Sequence, residues 1–235
     1  MIKPTGADPL WVSVEGINGV GKTSAAHGTA ALLGTRGVLL DELTDQVNDV
    51  LLSRVIAALS SAGDPFLRTG HPVVETLALL ALQVRKSERL AGQSLAGVDV
   101  IIEDRGVDSV AVYQAAVLCS EHPGTRPEQV ARHILADARR WRGVPDKTLL
   151  LTGDPEVCIQ RFGARIQRPL AAEHAHLISE IDRLYRVLAE DDPDRYMILD
   201  VADLSPQESV DVVRQSVTRL LERRPHIPAM RRPSA

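Results

Sequence analysis

Aromatic residues are scarce in this chain of 235 residues, at 3%, so Leu, Val, Ile and Ala must build its core. Cysteine is scarcer still. Cys119 and Cys158 lie far apart and lack metal-ligand spacing, which excludes a disulfide framework and favours two buried thiols. No run approaches about 18 uninterrupted apolar residues, and no apolar block follows the N-terminus, which argues against membrane spans and secretion. We therefore expect a cytoplasmic protein.

An excess of positive charge is also missing. Lys and Arg total 27 against 31 Asp and Glu, and the net charge of −4 argues against a protein that coats nucleic acid. For the same reason, the basic segment 139–142 (Arg-Arg-Trp-Arg) is interpreted as a solvated helix end. The hydrophobic fraction of 44% and the charged fraction of 25% are those of a globular protein.

Short apolar runs alternate with longer helical stretches along the chain, and no internal repeat is visible. This alternation predicts an α/β fold of three layers, with helices on both faces of a five-stranded parallel sheet. The predicted strands are short and mostly apolar, as buried parallel strands are. They span residues 10–15, 38–41, 98–103, 148–152 and 196–200.

Three helices can be predicted from local signals. Apolar residues recur every three to four positions from Val73 to Val84, which predicts a core-facing helix over 72–96. Asp154 before Pro155 has the pattern of an N-cap, so a helix should begin there. The last predicted helix spans 206–223. The following segment, 225–235, has three prolines and no periodicity, so we expect a mobile tail after a single domain over 1–224.

A phosphate-binding loop is the strongest motif. Residues 16–23 read GINGVGKT and fit G-x-x-x-x-G-K-[ST] between a predicted strand and a helix. Glycines let backbone N–H groups face phosphate oxygens, Lys22 reaches the β- and γ-phosphates of ATP, and Thr23 ligates Mg²⁺. The residues predicted to bind the donor nucleotide are Gly16, Asn18, Gly19, Gly21, Lys22, Thr23 and Ser24.

Carboxylates and an arginine end another predicted strand. Residues 98–103 lead into Asp104 and Arg105, at the sheet edge where open α/β sheets bind ligands. Neighbouring residues on a strand point in opposite directions, so only one of Glu103 and Asp104 can face a site there. A strand-end ion pair is the plainer interpretation of the same residues.

With both segments in view, the chain resembles thymidylate kinases and, more distantly, the deoxynucleoside kinases that share their fold. The resemblance rests on VSVEGINGVGKT at 12–23, DRGVDSVAVYQ at 104–114, the segment 145–165 and the run 177–200. It implies a P-loop NTPase fold with a short helical lid over about 160–176, Mg²⁺ and ATP as cofactors, and a homodimer.

The resemblance also implies roles for matching residues. Lys22 and Thr23 would contact ATP and Mg²⁺, Arg105 the acceptor phosphate, and Asp104 the metal. The residues implied on the acceptor side are Asn18, Glu42, Arg85, Arg105, Ser109, Tyr113 and Gln114.

The phosphate loop contains no arginine, and in relatives of this kind the lid supplies one. Arg161, Arg165 and Arg168 are the candidates for that catalytic role. Arg161 and Arg165 share a helix face at spacing i, i+4, and a solvated basic helix end is the plain alternative for each.

Four departures from the family pattern lie on the acceptor side. Asn18 stands where thymidylate kinases usually carry a carboxylate for the sugar 3′-hydroxyl, and residues 41–43 (Asp-Glu-Leu) replace Arg-Glu-Pro. Ala81 stands where an aromatic ring is common, and Gly106 replaces Tyr or His. These differences leave the base and the sugar of the acceptor open.

The leading hypothesis is a nucleoside monophosphate kinase. It would transfer the γ-phosphoryl group of Mg-ATP to a (deoxy)nucleoside 5′-monophosphate, either dTMP or a related, modified pyrimidine nucleotide. An alternative is a nucleoside kinase that acts on a free 5′-hydroxyl with Glu42 as base. A second alternative is a nucleotide-binding switch or regulatory protein without small-molecule kinase activity.

Overall fold

The computed structural model describes residues 8–45, 49–122 and 124–224, so the predicted tail at 225–235 lies outside the described residues. Five parallel strands form one sheet in the order β2-β3-β1-β4-β5, which confirms the predicted fold class. The strands are β1 (Leu10–Glu15), β2 (Gly37–Leu40), β3 (Val100–Asp104), β4 (Lys147–Thr152) and β5 (Tyr196–Asp200).

Helices form two packed groups around this sheet. In chain order they are α1 (Lys22–Leu33), α2 (Val50–Leu59), α3 (Pro72–Ala91), α4 (Val107–Glu121), α5 (Pro127–Trp141), α6 (Pro155–Arg165), α7 (Ala172–Asp191) and α8 (Pro206–Glu222). Helix α1 packs against α8, whereas α4 contacts α3, α5 and α7. None of the helices in the described part of the chain is long and apolar enough to cross a membrane.

The boundaries differ from prediction by a few residues. Helix α3 ends at Ala91 instead of 96, because the Gly92 N–H closes the last turn on Glu88 and Gly97 adopts a φ of 79°, outside helical geometry. Strand β3 begins at Val100 and includes Asp104. The Asp154 carboxylate accepts N–H bonds from the first turn of α6, as an N-cap does.

The core is aliphatic, and its central strands are fully buried. Because β1 pairs in parallel with both β3 and β4, the loop after β1 and the turn after β3 emerge at the same edge of the sheet. Cys158 is buried as predicted, whereas Cys119 is only half-buried. Both thiols are free.

The interpretation of 139–142 as a solvated helix end is wrong for Arg142. Helix α5 ends before it, and extended backbone turns the fully buried side chain toward the sheet. Its guanidinium lies 2.9 Å from the Glu103 carboxylate, donates to Gln83 Oε1 at 2.6 Å and covers the Trp11 ring at 4.8 Å. Trp141, by contrast, is 70% exposed.

Candidate active site

The loop between β1 and α1 has a backbone that requires glycine. Gly16 has a φ of 140°, and a Cβ atom there would lie 2.5 Å from the Leu151 carbonyl oxygen. Gly19 has a φ of 86°, and its Cβ would collide with the Cys158 carbonyl. The loop therefore nests closely between β4 and α6 and turns its backbone toward the N-terminus of α1.

Lys22 lies inside this loop and is buried. Its Nζ donates to the Ile17 carbonyl at 2.6 Å. Burial and the nearby Arg105 guanidinium hold the pKa of Lys22 well below its usual range, against the opposing effect of Glu42. A bound polyphosphate would supply negative charge that favours the ammonium form.

Asp104 and Thr23 fit a Mg²⁺ ion. Both carboxylate oxygens of Asp104 are buried and accept no regular hydrogen bond from the described residues. Burial raises the pKa of Asp104, and the adjacent Thr23 hydroxyl acts in the opposite direction. A carboxylate and a hydroxyl are ligands that Mg²⁺ prefers. A bound Mg²⁺ would neutralise phosphate charge there.

The Glu103 side chain points to the opposite face of the sheet from Asp104, as strand alternation predicts. Its carboxylate lies 3.2 Å from Lys86 Nζ and pairs with Arg142 on the far side of the sheet. Lys86 and the Gln83 amide in turn donate to the backbone carbonyls of the turn that carries Arg105. This buried network holds the turn in place through hydrogen bonds to its backbone carbonyls.

A cavity of about 500 Å³ opens beside the loop. The end of β2, the segment before α3, and parts of α3, α4 and α6 form its walls. The predicted residues that line it are Asn18, Thr23, Glu42, Arg105, Ser109, Tyr113, Gln114 and Arg165. Ser24 lies exposed on the first turn of α1, outside this lining.

Arg105 is the buried cation of the cavity. Its Nε lies 2.9 Å from Glu42 Oε1, its terminal nitrogen donates to the Asn18 side-chain oxygen, and its guanidinium covers the Tyr113 ring at 5.1 Å. Although burial acts the other way, Arg105 and Lys22 hold the pKa of Glu42 below its usual range. Asn18 also accepts from the Tyr113 hydroxyl at 3.0 Å.

Ser109 contacts a carboxylate that the sequence analysis missed. Its hydroxyl donates to Glu15 at 2.6 Å, and Glu15 also accepts from the Gly106 N–H at 2.6 Å and from the Tyr185 hydroxyl at 2.9 Å. Burial and Asp108 raise the pKa of Glu15 to about 7. Glu15 thus ties the start of the phosphate loop to the first turn of α4.

Helix α3 brings Gln83 to the cavity instead of Arg85. Leu79 and Gln83 line the cavity at spacing i, i+4, whereas Arg85 is 43% exposed and donates to Asp49 at 3.0 Å. Two residues rotate a helix by about 200°, so these side chains point in nearly opposite directions. The buried spacing of Thr76, Leu79 and Gln83 is the signal that could have indicated this face.

Only one of the lid candidates lines the cavity. Arg165 does so, and its guanidinium lies 5.2 Å from the centroid of the Phe162 ring. Arg168 donates to the Gly63 carbonyl at 2.8 Å. Arg161 is exposed on α6 and lies outside the lining residues.

An aromatic wall faces Arg105, and its central residue was missed. Phe66 is buried, with its ring centroid 6.2 Å from that of Tyr113 and 6.3 Å from that of Phe162. Next to it, the buried Gln114 side chain is hydrogen-bonded to the Thr76 hydroxyl at 3.0 Å. Phe66 lies in a connecting segment without periodicity, so its sequence signal is weak.

Comparison with known proteins settles the family. The thymidylate kinase model matches residues 14–213. The chain belongs to the thymidylate kinase family. It is therefore a phosphotransferase, and its fold is that of the P-loop kinases.

Two relatives are similar to this thymidylate kinase family member over 90% of its length, and a third over about half. A protein named "Probable thymidylate kinase" from Methanocorpusculum labreanum is 28% identical over 90% of this chain and 98% of its own. One of the same name from Methanosarcina mazei is 25% identical over 90% and 95%. Another, from Methanococcoides burtonii, is 32% identical over 52% of this chain and 58% of its own.

As a nucleoside monophosphate kinase of this family, the protein transfers a phosphoryl group from ATP to a phosphate oxygen. That oxygen is already ionised at neutral pH, so the reaction needs no general base. Positioning and charge neutralisation carry such a transfer.

Proposed function

We propose that the protein transfers the γ-phosphoryl group of Mg-ATP to the 5′-phosphate of dTMP or of a related pyrimidine nucleotide, including one with a modified base. The arrangement of Arg105 carries the proposal. It is a buried guanidinium in a cavity beside the phosphate loop, and guanidinium groups pair with phosphate in a bidentate manner. The names of the relatives support dTMP.

The aromatic wall of the cavity suits a flat pyrimidine. Phe66 and Tyr113 offer aromatic surface for stacking. The Gln114 amide carries both a donor and an acceptor, which matches the neighbouring acceptor and donor on the edge of a pyrimidine. Asn18, in place of a carboxylate, offers the sugar a hydrogen bond without charge.

Each charged residue has a proposed role. Lys22 would bind the β- and γ-phosphates, and Thr23 and Asp104 would hold Mg²⁺. Arg105 would orient the acceptor phosphate. Arg165 would stabilise the charge that develops on the transferred group, since the loop has no arginine and this side chain lines the cavity.

One screen tests the proposal. Purified protein with Mg-ATP is assayed for ADP formation on 5′-monophosphates, on the corresponding nucleosides and on 5-substituted deoxyuridine monophosphates, with Lys22→Ala as the inactive control. We expect the highest kcat/KM for a pyrimidine monophosphate. Preference for purine monophosphates would exclude the pyrimidine assignment, and absence of any acceptor turnover would favour a nucleotide-binding regulatory protein.

A nucleoside kinase is a second candidate, which family membership does not favour. Glu42 places a carboxylate in the acceptor cavity, next to Arg105, where it could accept the proton of a 5′-hydroxyl. A nucleoside kinase would use it in this way, and higher kcat/KM for nucleosides in the same screen would identify that activity.

We also infer, from family membership, a cytoplasmic homodimer that acts on small-molecule nucleotides and requires neither nucleic acid nor a membrane. Analytical ultracentrifugation at micromolar concentration tests the oligomeric state. A sedimentation mass near 25.5 kDa, the mass of one chain, would contradict the dimer.

A further inference from the structure

A polar cluster joins the acceptor wall to the lid. We define the Arg68 cluster as Asp64, Arg68, Glu173 and His174. One terminal nitrogen of Arg68 lies 2.7 Å from Asp64, 2.6 Å from Glu173 and 2.8 Å from His174 Nε2. His174 also lies 3.1 Å from Asp64. The cluster therefore links the segment before α3 with the first turn of α7.

On the acceptor side, Asp64 shapes the segment that faces the cavity. Its carboxylate accepts the Phe66 N–H at 2.8 Å, and its carbonyl accepts the Leu67 N–H at 3.1 Å. Leu67 has a φ of 61°, which is uncommon for a leucine and persists only where surrounding contacts enforce it. Phe66 and Leu67 both line the cavity. The turn formed at Asp64 therefore determines the position of this part of the cavity wall.

The lid contacts the segment before α3 at two further points. Arg168 donates to the Gly63 carbonyl at 2.8 Å. The Phe66 ring packs between Phe162 of α6 and His174 of α7, with centroids 6.3 Å and 5.5 Å away. Phe66 is therefore packed directly against the lid.

The Arg68 contacts with Asp64 and His174 are shielded from water, whereas the Glu173 side chain is 64% exposed. The side chains of Arg68 and Asp64 are 18% and 15% exposed, and that of His174 is 15% exposed. Exposed ion pairs contribute little because water screens them, whereas charge-assisted hydrogen bonds in such partly buried sites are stronger. Arg68 thus has the contacts to fix two segments relative to each other.

We propose that Arg68 is a positioning residue that couples the acceptor wall to the lid. The Arg68 cluster holds Phe66 against the acceptor base and, through the lid, holds Arg165 at the phosphoryl group, so that both walls close as one unit. This inference rests on the proposed function, because it assigns the base to the Phe66 side. Arg68 itself lies outside the cavity lining and acts through Phe66 and the lid.

Arg68→Gln removes the charge, Arg68→Lys retains it, and Arg183→Gln serves as the matched control. Arg183 also bridges two carboxylates, Glu180 and Glu128, at 2.6 Å each, but it contacts neither the acceptor wall nor the lid. Steady-state kinetics with the preferred monophosphate are combined with hydrogen exchange of segments 61–71 and 163–171. We expect Arg68→Gln to raise the acceptor KM by about tenfold and to speed exchange in both segments.

Further expectations separate positioning from folding. Arg68→Lys should recover most of the acceptor affinity, Arg183→Gln should match the wild-type protein, and the Kd for an unreactive ATP analogue without acceptor should stay within about twofold. An unchanged acceptor KM in Arg68→Gln overturns the proposal, even if the melting temperature falls. Faster exchange in 61–71 alone overturns it as well.

Failure of the proposed function gives a different result. In that case the wild-type protein itself phosphorylates no monophosphate, and the kinetic comparison does not arise. The hydrogen-exchange measurement still tests the coupling, because it depends on the fold and not on turnover. Faster exchange of both segments in Arg68→Gln, but not in Arg183→Gln, would support it.

Discussion

Glu42 and Arg105 form an ion pair inside the cavity beside the phosphate loop, with 2.9 Å between Oε1 and Nε. Both side chains are largely buried, at 21% and 11% exposure. An acceptor phosphate that binds Arg105 must therefore compete with a carboxylate already beside it. A neutral hydroxyl would face no such competition, so this pair is the natural place to test the nature of the acceptor.

Glu42→Gln should lower the KM for a monophosphate acceptor by about three- to tenfold, because the amide pairs with Arg105 more weakly than the carboxylate does. Turnover should change little, since a phosphate acceptor needs no base. Initial rates over a range of acceptor concentrations check this, with Glu88→Gln on the exposed face of α3 as control. A loss of about two orders of magnitude, together with preference for nucleosides, would instead identify Glu42 as a base.

Lys22→Ala should reduce turnover to less than about a tenth of the wild-type value, because the lysine neutralises charge on the β- and γ-phosphates. Its bond to Ile17 is also lost, at a stability cost of about 1 kcal/mol. Lys147→Ala is the matched control, because Lys147 likewise donates to a backbone carbonyl, that of Asp194, away from the cavity. Retained turnover in Lys22→Ala with a normal melting temperature would show that this loop does not bind the donor.

Arg165→Ala should lower kcat by about 10³-fold, as expected for an arginine that stabilises a transferring phosphoryl group. Arg161→Ala, one helical turn earlier and outside the cavity lining, should behave like the wild-type protein. Single-turnover rates at saturating substrates separate this effect from product release. If both variants transfer phosphate at the wild-type rate, α6 contributes no catalytic arginine.

Stability should depend on pH through Glu15. Burial and Asp108 raise the pKa of Glu15 from 4.5 to about 7 in the folded protein. The folded state therefore keeps a proton that the unfolded chain loses, and this contribution is fully present below pH 4.5 and lost as the pH rises to about 7. Glu15→Gln cannot titrate, so its unfolding free energy relative to wild type should increase over that interval.

Urea denaturation at several pH values between 4.5 and 7 measures the difference. Each unit by which a pKa is raised corresponds to about 1.4 kcal/mol. Parallel curves for the two proteins would show that folding does not raise the pKa of Glu15.

The parts of the molecule that were predictable depend on local sequence. The phosphate loop and its flanking strand and helix follow from eight consecutive residues whose chemistry requires that spacing. The N-cap at Asp154 and the five strands also follow from neighbouring residues, and the structure confirms them with shifts of one or two positions at some ends.

The acceptor side was harder to predict because contacts distant in sequence determine it. On α3 the cavity lining includes Gln83 and not Arg85, two residues later, since a helix turns about 100° per residue. Phe66 lies in a connection whose path depends on Asp64, Arg68 and the lid. The burial of Arg142 follows from Glu103, which is 39 residues away in the chain.

Gly106 limits how this protein can evolve toward the aromatic residue that its resemblance to thymidylate kinases implies at that position. A Cβ atom there would lie 3.1 Å from a Glu103 oxygen and 3.2 Å from a Glu15 oxygen. Both carboxylates are buried and already hydrogen-bonded, so they have little room to move. A larger side chain at 106 therefore requires the Glu103 and Glu15 carboxylates to shift by a few tenths of an ångström. The side chain that position 106 can hold is thus coupled to the residues at 15 and 103.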